Sequence, residues 1–181
     1  MNVKIDISTV TLKTKRMILR PWQQKDLYDL YEYASVDGVG QMAGWIPHKD
    51  LQEYQRILNS FIEERETFAI EYQGKVIGSI GLKKYPESEL PLFQNLKGME
   101  IGYVLSKDYW GQGLMPEAVK EVINYLFKQI KLDFIVCGHF VSNNQSRRVQ
   151  EKCGFVHYKQ VIHTGKNGEK IDCWLSVLEN K

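Results

Sequence analysis

Hydrophobic side chains make up 43% of the 181 residues, enough for the core of one globular domain, and we expect a single domain over residues 1–181. The 24 lysines and arginines nearly balance the 22 aspartates and glutamates, and the resulting formal charge of +2 argues against nucleic acid as the main partner. No apolar stretch approaches the roughly 20 residues of a membrane span, and no basic segment followed by an apolar one opens the chain, so we expect a cytoplasmic protein without a membrane partner.

The chain up to residue 105 predicts one strand, two helices and three further strands. Residues 10–22 predict the first strand, and apolar residues at helical spacing follow it. A second helix begins at Asp50, because Asp50 with Glu53 three residues later resembles a capping box. The three strands that follow cover residues 68–72, 75–82 and 99–105.

Two glycines stand directly before the next helix, in the segment YWGQGLMPEA of residues 109–118. Glycine lets backbone N–H groups turn toward a ligand without steric cost, and the first N–H groups of a helix lack internal partners and carry partial positive charge. Pro116 and Glu117 suit the first helical turn, since proline lacks an N–H that would be unpaired there and a carboxylate suits the helix dipole. The loop therefore predicts a phosphate-binding site.

Two common phosphate-binding motifs do not fit this loop. A P-loop requires a lysine and a serine or threonine after its last glycine, where this chain has Leu114 and Met115. A dinucleotide-binding fingerprint requires a third glycine where Pro116 stands. The phosphate site is therefore of another class.

The remaining elements are a strand, a short helix and a final hairpin. Residues 134–140 predict the strand, and residues 143–152 predict a helix that ends at Gly154. The last two strands, at residues 156–163 and 171–178, flank a tight turn at Lys166-Asn167-Gly168.

The phosphate loop resembles motif A of the GNAT superfamily of acetyl-CoA-dependent N-acetyltransferases, with Gly113 as the central glycine. Trp110 and Met115 depart from the strict superfamily pattern, but the Tyr-Trp-Gly-x-Gly form is similar to the RimJ/RimL-like branch, named for enzymes that acetylate the N-termini of ribosomal proteins. Three other segments resemble that branch in the expected order. They are TKRMILRPW (residues 14–22), NNQS (residues 143–146) and EKCGF (residues 151–155).

The resemblance implies the GNAT fold, which is an α+β architecture in α/β/α layers. Its mixed, mostly antiparallel central sheet has about seven strands, is splayed next to the motif A strand and is accompanied by about four helices. The predicted elements of this chain follow the same order. The implied reaction is transfer of the acetyl group of the cosubstrate acetyl-CoA to a primary amine, by direct attack in a ternary complex and without a metal.

Acetyl-CoA is expected to contact three parts of the chain. Backbone N–H groups of the loop bind its pyrophosphate, and the resemblance places pantetheine along the end of the motif A strand, where a backbone N–H also faces the oxyanion. The resemblance further places Asn143 at the pantetheine amide or a structural water and Ser146 near the sulfur, although Asn143 could also serve only as an N-cap. The predicted cofactor-binding residues are Tyr103, Val104, Leu105, Trp110, Gly111, Gln112, Gly113, Leu114, Met115, Asn143 and Ser146.

Glu100, Asn143 and Ser146 are the candidate catalytic residues. Superfamily members often have a glutamate at the place of Glu100 that takes the proton of the amine, commonly through water. The alternative is a strand carboxylate at the sheet edge, paired with a lysine. Many GNAT enzymes have a tyrosine seven residues after the asparagine that protonates the thiolate, but this chain has Gln150, which cannot act as an acid. Because a thiol has a pKa of about 8.5, the thiolate can leave with only a hydrogen bond from Ser146 or water.

Other reactive side chains suggest no further chemistry. Cys137, Cys153 and Cys173 are odd in number and widely spaced, which suggests neither a disulfide framework nor a zinc site. Cys137 and Cys153 lack an evident basic partner, which argues against a covalent acyl-enzyme. Histidines 48, 139, 157 and 163 lack the spacing of metal ligands, so we expect no metal site. Arg147 and Arg148 either reach the 3′-phosphate of the cofactor or form a solvated helix face.

The acceptor is expected at the loops of residues 37–48 and 85–98. Glu87 and Glu89 in the second loop either attract a cationic acceptor or only keep the loop polar. The RimJ/RimL resemblance favours a protein or peptide N-terminal α-amine as the acceptor. The alternatives are a small amine such as a polyamine or aminoglycoside, or a CoA-binding sensor that has lost catalysis. The sequence leaves a homodimer open.

Overall fold

The computed structural model describes residues 1–47, 50–165 and 168–181. Over these residues the chain forms four α-helices and eight strands, besides short 3₁₀ turns. The helices are α1 (Leu27–Ala34), α2 (Leu51–Glu64), α3 (Leu114–Lys128) and α4 (Asn144–Lys152). The strands are β1 (Leu12–Lys13), β2 (Met17–Pro21), β3 (Thr67–Tyr72), β4 (Lys75–Lys83), β5 (Gly98–Leu105), β6 (Phe134–Phe140), β7 (Val156–Thr164) and β8 (Lys170–Glu179).

The chain divides into two compact units. The loop unit comprises Ile5–Gly81 and Tyr103–Ala118, and the hairpin unit comprises Met1–Lys4, Leu82–Gly102 and Val119–Lys181. Strands β4 and β5 and helix α3 each contribute residues to both units. The single domain over residues 1–181 stays a prediction.

The loop unit builds its core between two helices and four antiparallel strands, in which β1 pairs with β2, β2 with β3 and β3 with β4. Helix α2 begins as predicted, because the Asp50 carboxylate accepts a hydrogen bond of 2.9 Å from the N–H of Glu53. Tyr54 and Leu58 on this helix are fully buried in a cluster with Trp22 from the segment that follows β2.

The prediction of one strand over residues 10–22 is wrong, since β1 and β2 are separate antiparallel strands joined by a turn. The Thr14 hydroxyl accepts hydrogen bonds from the N–H groups of Arg16 and Met17, and the Thr14 N–H donates to the Met17 carbonyl. A threonine side chain that bonds nearby backbone in this way competes with a continuous strand. The extra strand raises the number of strands from the expected seven to eight.

The hairpin unit contains one parallel pair and two antiparallel pairs of strands. β5 runs parallel to β6, with Gly98 opposite Phe134 at one end of the pairing and Ile101 opposite Cys137 at the other. β6 pairs with β8, and β8 pairs with β7. One face carries an apolar cluster around the fully buried Phe134. The predicted turn residues Lys166 and Asn167 lie outside the described residues.

The α+β class is confirmed, with four helices and mixed, mostly antiparallel strand pairing. The splay of the motif A strand stays a prediction. Among the described residues, no helix combines the length and the apolar character that crossing a membrane would require.

Candidate active site

The loop before α3 has the backbone conformation that an anion site needs. Gly111 and Gly113 have φ values of 75° and 74°, in the left-handed region that favours glycine. Within the described chain, no carbonyl accepts a hydrogen bond from the N–H groups of residues 111–113, which are exposed. The N–H groups of Leu114 and Met115 open α3, where a helix has no internal acceptor. Residues 111–115 thus present consecutive N–H groups to a ligand.

Trp110 fixes the start of this loop. Its indole N–H donates to the Leu105 carbonyl at 2.8 Å, and its ring packs against the apolar cluster of the loop unit. Its backbone N–H donates to the Lys107 carbonyl at 3.1 Å. Because that N–H is already bonded, Trp110 acts as an anchor of the loop, and the N–H groups open to an anion begin at Gly111.

The end of β5 is held close to β4. The Ser106 N–H donates to the Ile77 carbonyl at 2.8 Å. The Val104 carbonyl lies against Gly78, where any β-carbon would collide with it. The backbone over Tyr103, Val104 and Leu105, where pantetheine is expected, is therefore fixed by its neighbours in the loop unit.

Glu100 lies on β5 opposite Val136, in a partly buried position. Burial raises the pKa of its carboxyl group above the ordinary value, and the positive charge of Lys83 only partly opposes this effect. The Lys83 ammonium group lies over Gly102, 3.5 Å from where a β-carbon on that glycine would stand. A raised pKa suits a base that must take a proton near neutral pH, whereas the lysine pairing of the alternative interpretation is represented among the described residues only by the charge of Lys83, without an ion pair.

Asn143 forms the N-cap of α4. Its side-chain oxygen accepts a hydrogen bond of 3.0 Å from the N–H of Ser146, and the residue is 8% exposed. The alternative interpretation of Asn143 as an N-cap is therefore confirmed. The helical turn that this cap begins also carries the half-buried Ser146. The cofactor roles of both residues stay predictions.

The pattern of the acetyltransferase (GNAT) domain matches residues 16–156, which cover most of the chain and include both the loop and the N-cap of α4. The chain belongs to the GNAT acetyltransferase family. A probable N-acetyltransferase of Bacillus subtilis, YjcK, is 30% identical to it over 137 residues, which are 74% of this chain and 69% of YjcK. The protein is an acetyl-CoA-dependent N-acetyltransferase.

Solved structures share the same GNAT fold. A GNAT-family acetyltransferase from Bacillus anthracis superposes with a TM-score of 0.81 and 23% identity, covering 94% of this chain and 99% of the other. The ribosomal-protein-S5-alanine acetyltransferase of Vibrio fischeri superposes with a TM-score of 0.73 and 21% identity, covering 95% and 97%. These structural similarities support the GNAT fold of the chain.

Gln150 replaces the tyrosine of many GNAT enzymes, and it is almost fully buried. Its amide nitrogen donates to the Gly138 carbonyl and to the Cys137 sulfur, both at 3.2 Å. Because a carbonyl only accepts, this fixes the orientation of the amide and turns its oxygen toward Nδ1 of His139, at 3.0 Å. Gln150 in this GNAT chain therefore ties α4 to β6 and does not act as an acid.

His139 is the buried partner of Gln150. Burial lowers the pKa of His139, although the hydrogen bond with Gln150 opposes this effect. The neutral ring carries its proton on Nδ1, which faces the Gln150 oxygen, and Nε2 is buried without a partner among the described residues. Cysteine and histidine patterns in the sequence gave no sign of this arrangement, because it depends on contacts across the fold.

The acidic residues of the loop at 85–98 form hydrogen bonds and an ion pair with other residues of the chain. The Glu87 carboxylate accepts hydrogen bonds of 3.0 Å from the backbone and side-chain nitrogens of Asn2. Glu89 forms an ion pair of 2.6 Å with Lys159. In this GNAT enzyme these carboxylates are therefore paired with other residues of the hairpin unit. In the other loop predicted to read the acceptor, His48 lies outside the described residues.

The cysteines do not have the properties of a nucleophile. Burial raises the pKa of Cys153 to about 11 and also raises the pKa of Cys173, so both thiols are protonated at neutral pH. Cys137 is buried, and its sulfur accepts a hydrogen bond from the Gln150 amide. No group of three or more metal-binding side chains occurs among the described residues.

Arg16 was not predicted as a site residue, although it lies beside the phosphate loop. Its Nη1 donates to the Gln112 carbonyl at 3.0 Å, and its Nε donates to Glu117 at 2.7 Å. Arg16 belongs to the segment TKRMILRPW, which the sequence identified only by its resemblance to the RimJ/RimL-like branch. The contact joins residues 101 positions apart, which sequence periodicity does not reveal.

Proposed function

We propose that this GNAT enzyme acetylates the N-terminal α-amines of proteins or peptides. The observation that carries the proposal is the contact between two branch-like segments. The Thr14 hydroxyl and the Arg16 guanidinium, from the first segment, both donate to Glu117 in the first turn after the Tyr-Trp-Gly-x-Gly loop. Two of the four segments that resemble the RimJ/RimL-like branch are thus joined by hydrogen bonds. The Vibrio fischeri protein with the same fold is, by its name, an acetyltransferase of a ribosomal-protein alanine.

In this proposal, the backbone of the loop unit binds the cosubstrate. The N–H groups of residues 111–115 hold the pyrophosphate of acetyl-CoA, and a hydrogen bond to a charged group contributes about 1.5 to 3 kcal/mol. The backbone of Tyr103, Val104 and Leu105 pairs with pantetheine, and a backbone N–H of this strand stabilises the oxyanion. Asn143 contacts the pantetheine amide, either directly or through water.

Glu100 is proposed to take a proton from the amine, directly or through one water. The neutral amine then attacks the acetyl carbonyl, so that a C–N bond forms and the C–S bond breaks. Ser146 or water donates a hydrogen bond to the leaving thiolate, which takes up a proton to give free CoA. No covalent acyl-enzyme is formed, which agrees with the raised pKa values of Cys153 and Cys173.

The contacts that Glu87 and Glu89 make with other residues of the chain argue against a polyamine acceptor. A polycation is recognised by several carboxylates, but Glu87 and Glu89 are bonded to Asn2 and Lys159. An N-terminal α-amine carries one charge at most, and it does not need such a cluster. The proposal of a peptide acceptor is therefore favoured over that of a small polycation.

The test is CoA release from acetyl-CoA in the presence of matched peptides. One peptide has a free N-terminus and an internal lysine, and its control has the same sequence with a blocked N-terminus; a polyamine and an aminoglycoside are assayed beside them. We expect turnover only with the free N-terminus. Turnover with a small amine alone would replace the proposed acceptor, and tight binding of acetyl-CoA without transfer to any amine would indicate a sensor.

A further inference from the structure

We infer that Arg16 binds the pyrophosphate of acetyl-CoA directly, as the cationic side chain of a phosphate site otherwise formed by backbone N–H groups. The inference rests on the proposed role of residues 111–115 and adds to it a residue from the turn between β1 and β2.

Two nitrogens of the guanidinium group fix it beside the loop. Nε donates to a Glu117 carboxylate oxygen at 2.7 Å, and Nη1 donates to the Gln112 carbonyl at 3.0 Å. The Arg16 backbone N–H also donates to Glu117, at 2.9 Å. The planar group is therefore held in place before any ligand binds, which reduces the entropy lost on binding.

The third nitrogen, Nη2, is turned toward the central glycine of the loop. A β-carbon on Gly113 would lie 3.7 Å from Nη2, and no other atom would lie within 4 Å of it. Among the described residues, no acceptor bonds to Nη2, and 37% of the Arg16 side chain is exposed. Nη2 thus offers unused N–H donors beside the backbone N–H groups that face solvent.

Glu117 pairs with Arg16 through Nε and leaves Nη2 open to an anionic ligand. Although its partial burial works in the opposite direction, hydrogen bonds from Thr14 and Arg16 lower the pKa of Glu117, so its single negative charge is retained at neutral pH. That charge is directed at Nε, whereas a pyrophosphate would meet Nη2 and the loop N–H groups. Lys107, the next cation along the loop, instead donates to the Asp37 carbonyl.

Truncated cosubstrates test the inference. Steady-state kinetics would compare acetyl-CoA, acetyl-dephospho-CoA, which lacks the 3′-phosphate, and acetyl-pantetheine, which lacks both the pyrophosphate and the nucleotide. We expect Arg16→Gln to raise KM about tenfold for the first two and to leave acetyl-pantetheine unchanged, because only the first two contain the pyrophosphate. The matched control is Arg56→Gln, since Arg56 is exposed on α2, outside the loop.

Glu117→Gln separates direct binding from support of the loop. This variant keeps the arginine but weakens the contact that holds it, so we expect a smaller increase in KM than for Arg16→Gln. An equal increase in both variants, or a loss confined to acetyl-CoA, would overturn the inference, since the first indicates support of the loop and the second indicates a 3′-phosphate contact. If the wild-type protein used acetyl-pantetheine as well as acetyl-CoA, the proposed phosphate site itself would be wrong.

Discussion

Glu100 occupies a position where a negative charge is costly. Burial within the hairpin unit raises the pKa of its carboxyl group, so Glu100 keeps its proton to a higher pH than an exposed glutamate. The folded chain thus binds this proton more tightly than the unfolded chain does. The contribution of Glu100 to stability is therefore complete below its unfolded pKa and declines as pH rises through the folded pKa.

For catalysis the same shift predicts a rise of kcat/KM with pH. Only ionised Glu100 can take a proton, so the rate should increase through a pKa above that of an ordinary glutamate. Glu100→Gln should lower kcat about 100-fold or more, remove this acidic limb and leave acetyl-CoA affinity unchanged. The measurement is a pH profile of initial rates beside the exposed control Glu63→Gln. An unaltered profile in Glu100→Gln would assign the base elsewhere.

Gln150 stands where many GNAT enzymes have a tyrosine, and its role in this chain is structural. Gln150→Ala would remove the hydrogen-bond partner of the half-buried Gly138 carbonyl and of Nδ1 of the buried His139. We expect the free energy of unfolding to fall by about 2 to 4 kcal/mol, since each buried group left unsatisfied costs about 1 to 3 kcal/mol. Urea denaturation would measure this loss. A change below about 1 kcal/mol would show that these hydrogen bonds contribute little to stability.

The expected role of the loop before α3 in binding acetyl-CoA depends on its backbone conformation. Gly113→Ala should weaken acetyl-CoA binding, because alanine in the left-handed region costs about 1 kcal/mol and the loop would shift to avoid it. Gly74→Ala is the control, since Gly74 has φ 82° in the β3–β4 turn and a β-carbon there meets nothing within 4 Å. Calorimetric titration should show weaker binding only for Gly113→Ala, although both variants lose similar stability. Equal affinities would disprove a role of the loop.

The two capped helices allow the role of Asn143 to be separated from simple capping. Asn143→Ala and Asp50→Ala each remove a side-chain acceptor for the N–H three residues later, at 3.0 Å and 2.9 Å. Both should lower the free energy of unfolding by about 1 kcal/mol. If Asn143 also contacts pantetheine, only Asn143→Ala should raise the Kd of acetyl-CoA, measured by titration calorimetry. Two unchanged Kd values would leave Asn143 as an N-cap alone.

Elements with a local cause could be predicted from the sequence, whereas contacts between distant residues could not. The caps at Asp50 and Asn143 and the glycine loop depend on neighbouring residues, so their patterns identified the helices that follow them. The turn at Thr14 was missed because threonine is also common in strands, so the residue type alone did not indicate its hydrogen bonds to the backbone of Arg16 and Met17. The ion pair of Arg16 with Glu117 joins residues that are distant in the sequence and come together only in the folded chain.

At the scale of the whole molecule, the two units share three elements. Since β4, β5 and α3 each cross from one unit into the other, unfolding one unit would disrupt elements of the other. We therefore expect a single thermal transition, with equal calorimetric and van't Hoff enthalpies. Scanning calorimetry would check this. Two resolved transitions would show that the loop unit and the hairpin unit are separate domains, and would replace the single-domain prediction.

The proposed phosphate site, formed largely by peptide N–H groups, would have a consequence for how such an enzyme can evolve. Every residue except proline carries the same N–H, so side chains such as the exposed Gln112 can be exchanged without removing a donor, provided that Gly111 and Gly113 keep their backbone conformation. Mutational drift could then alter acceptor loops freely while the acyl donor stays the same. A lineage built on this loop would inherit its chemistry and diversify in its substrates.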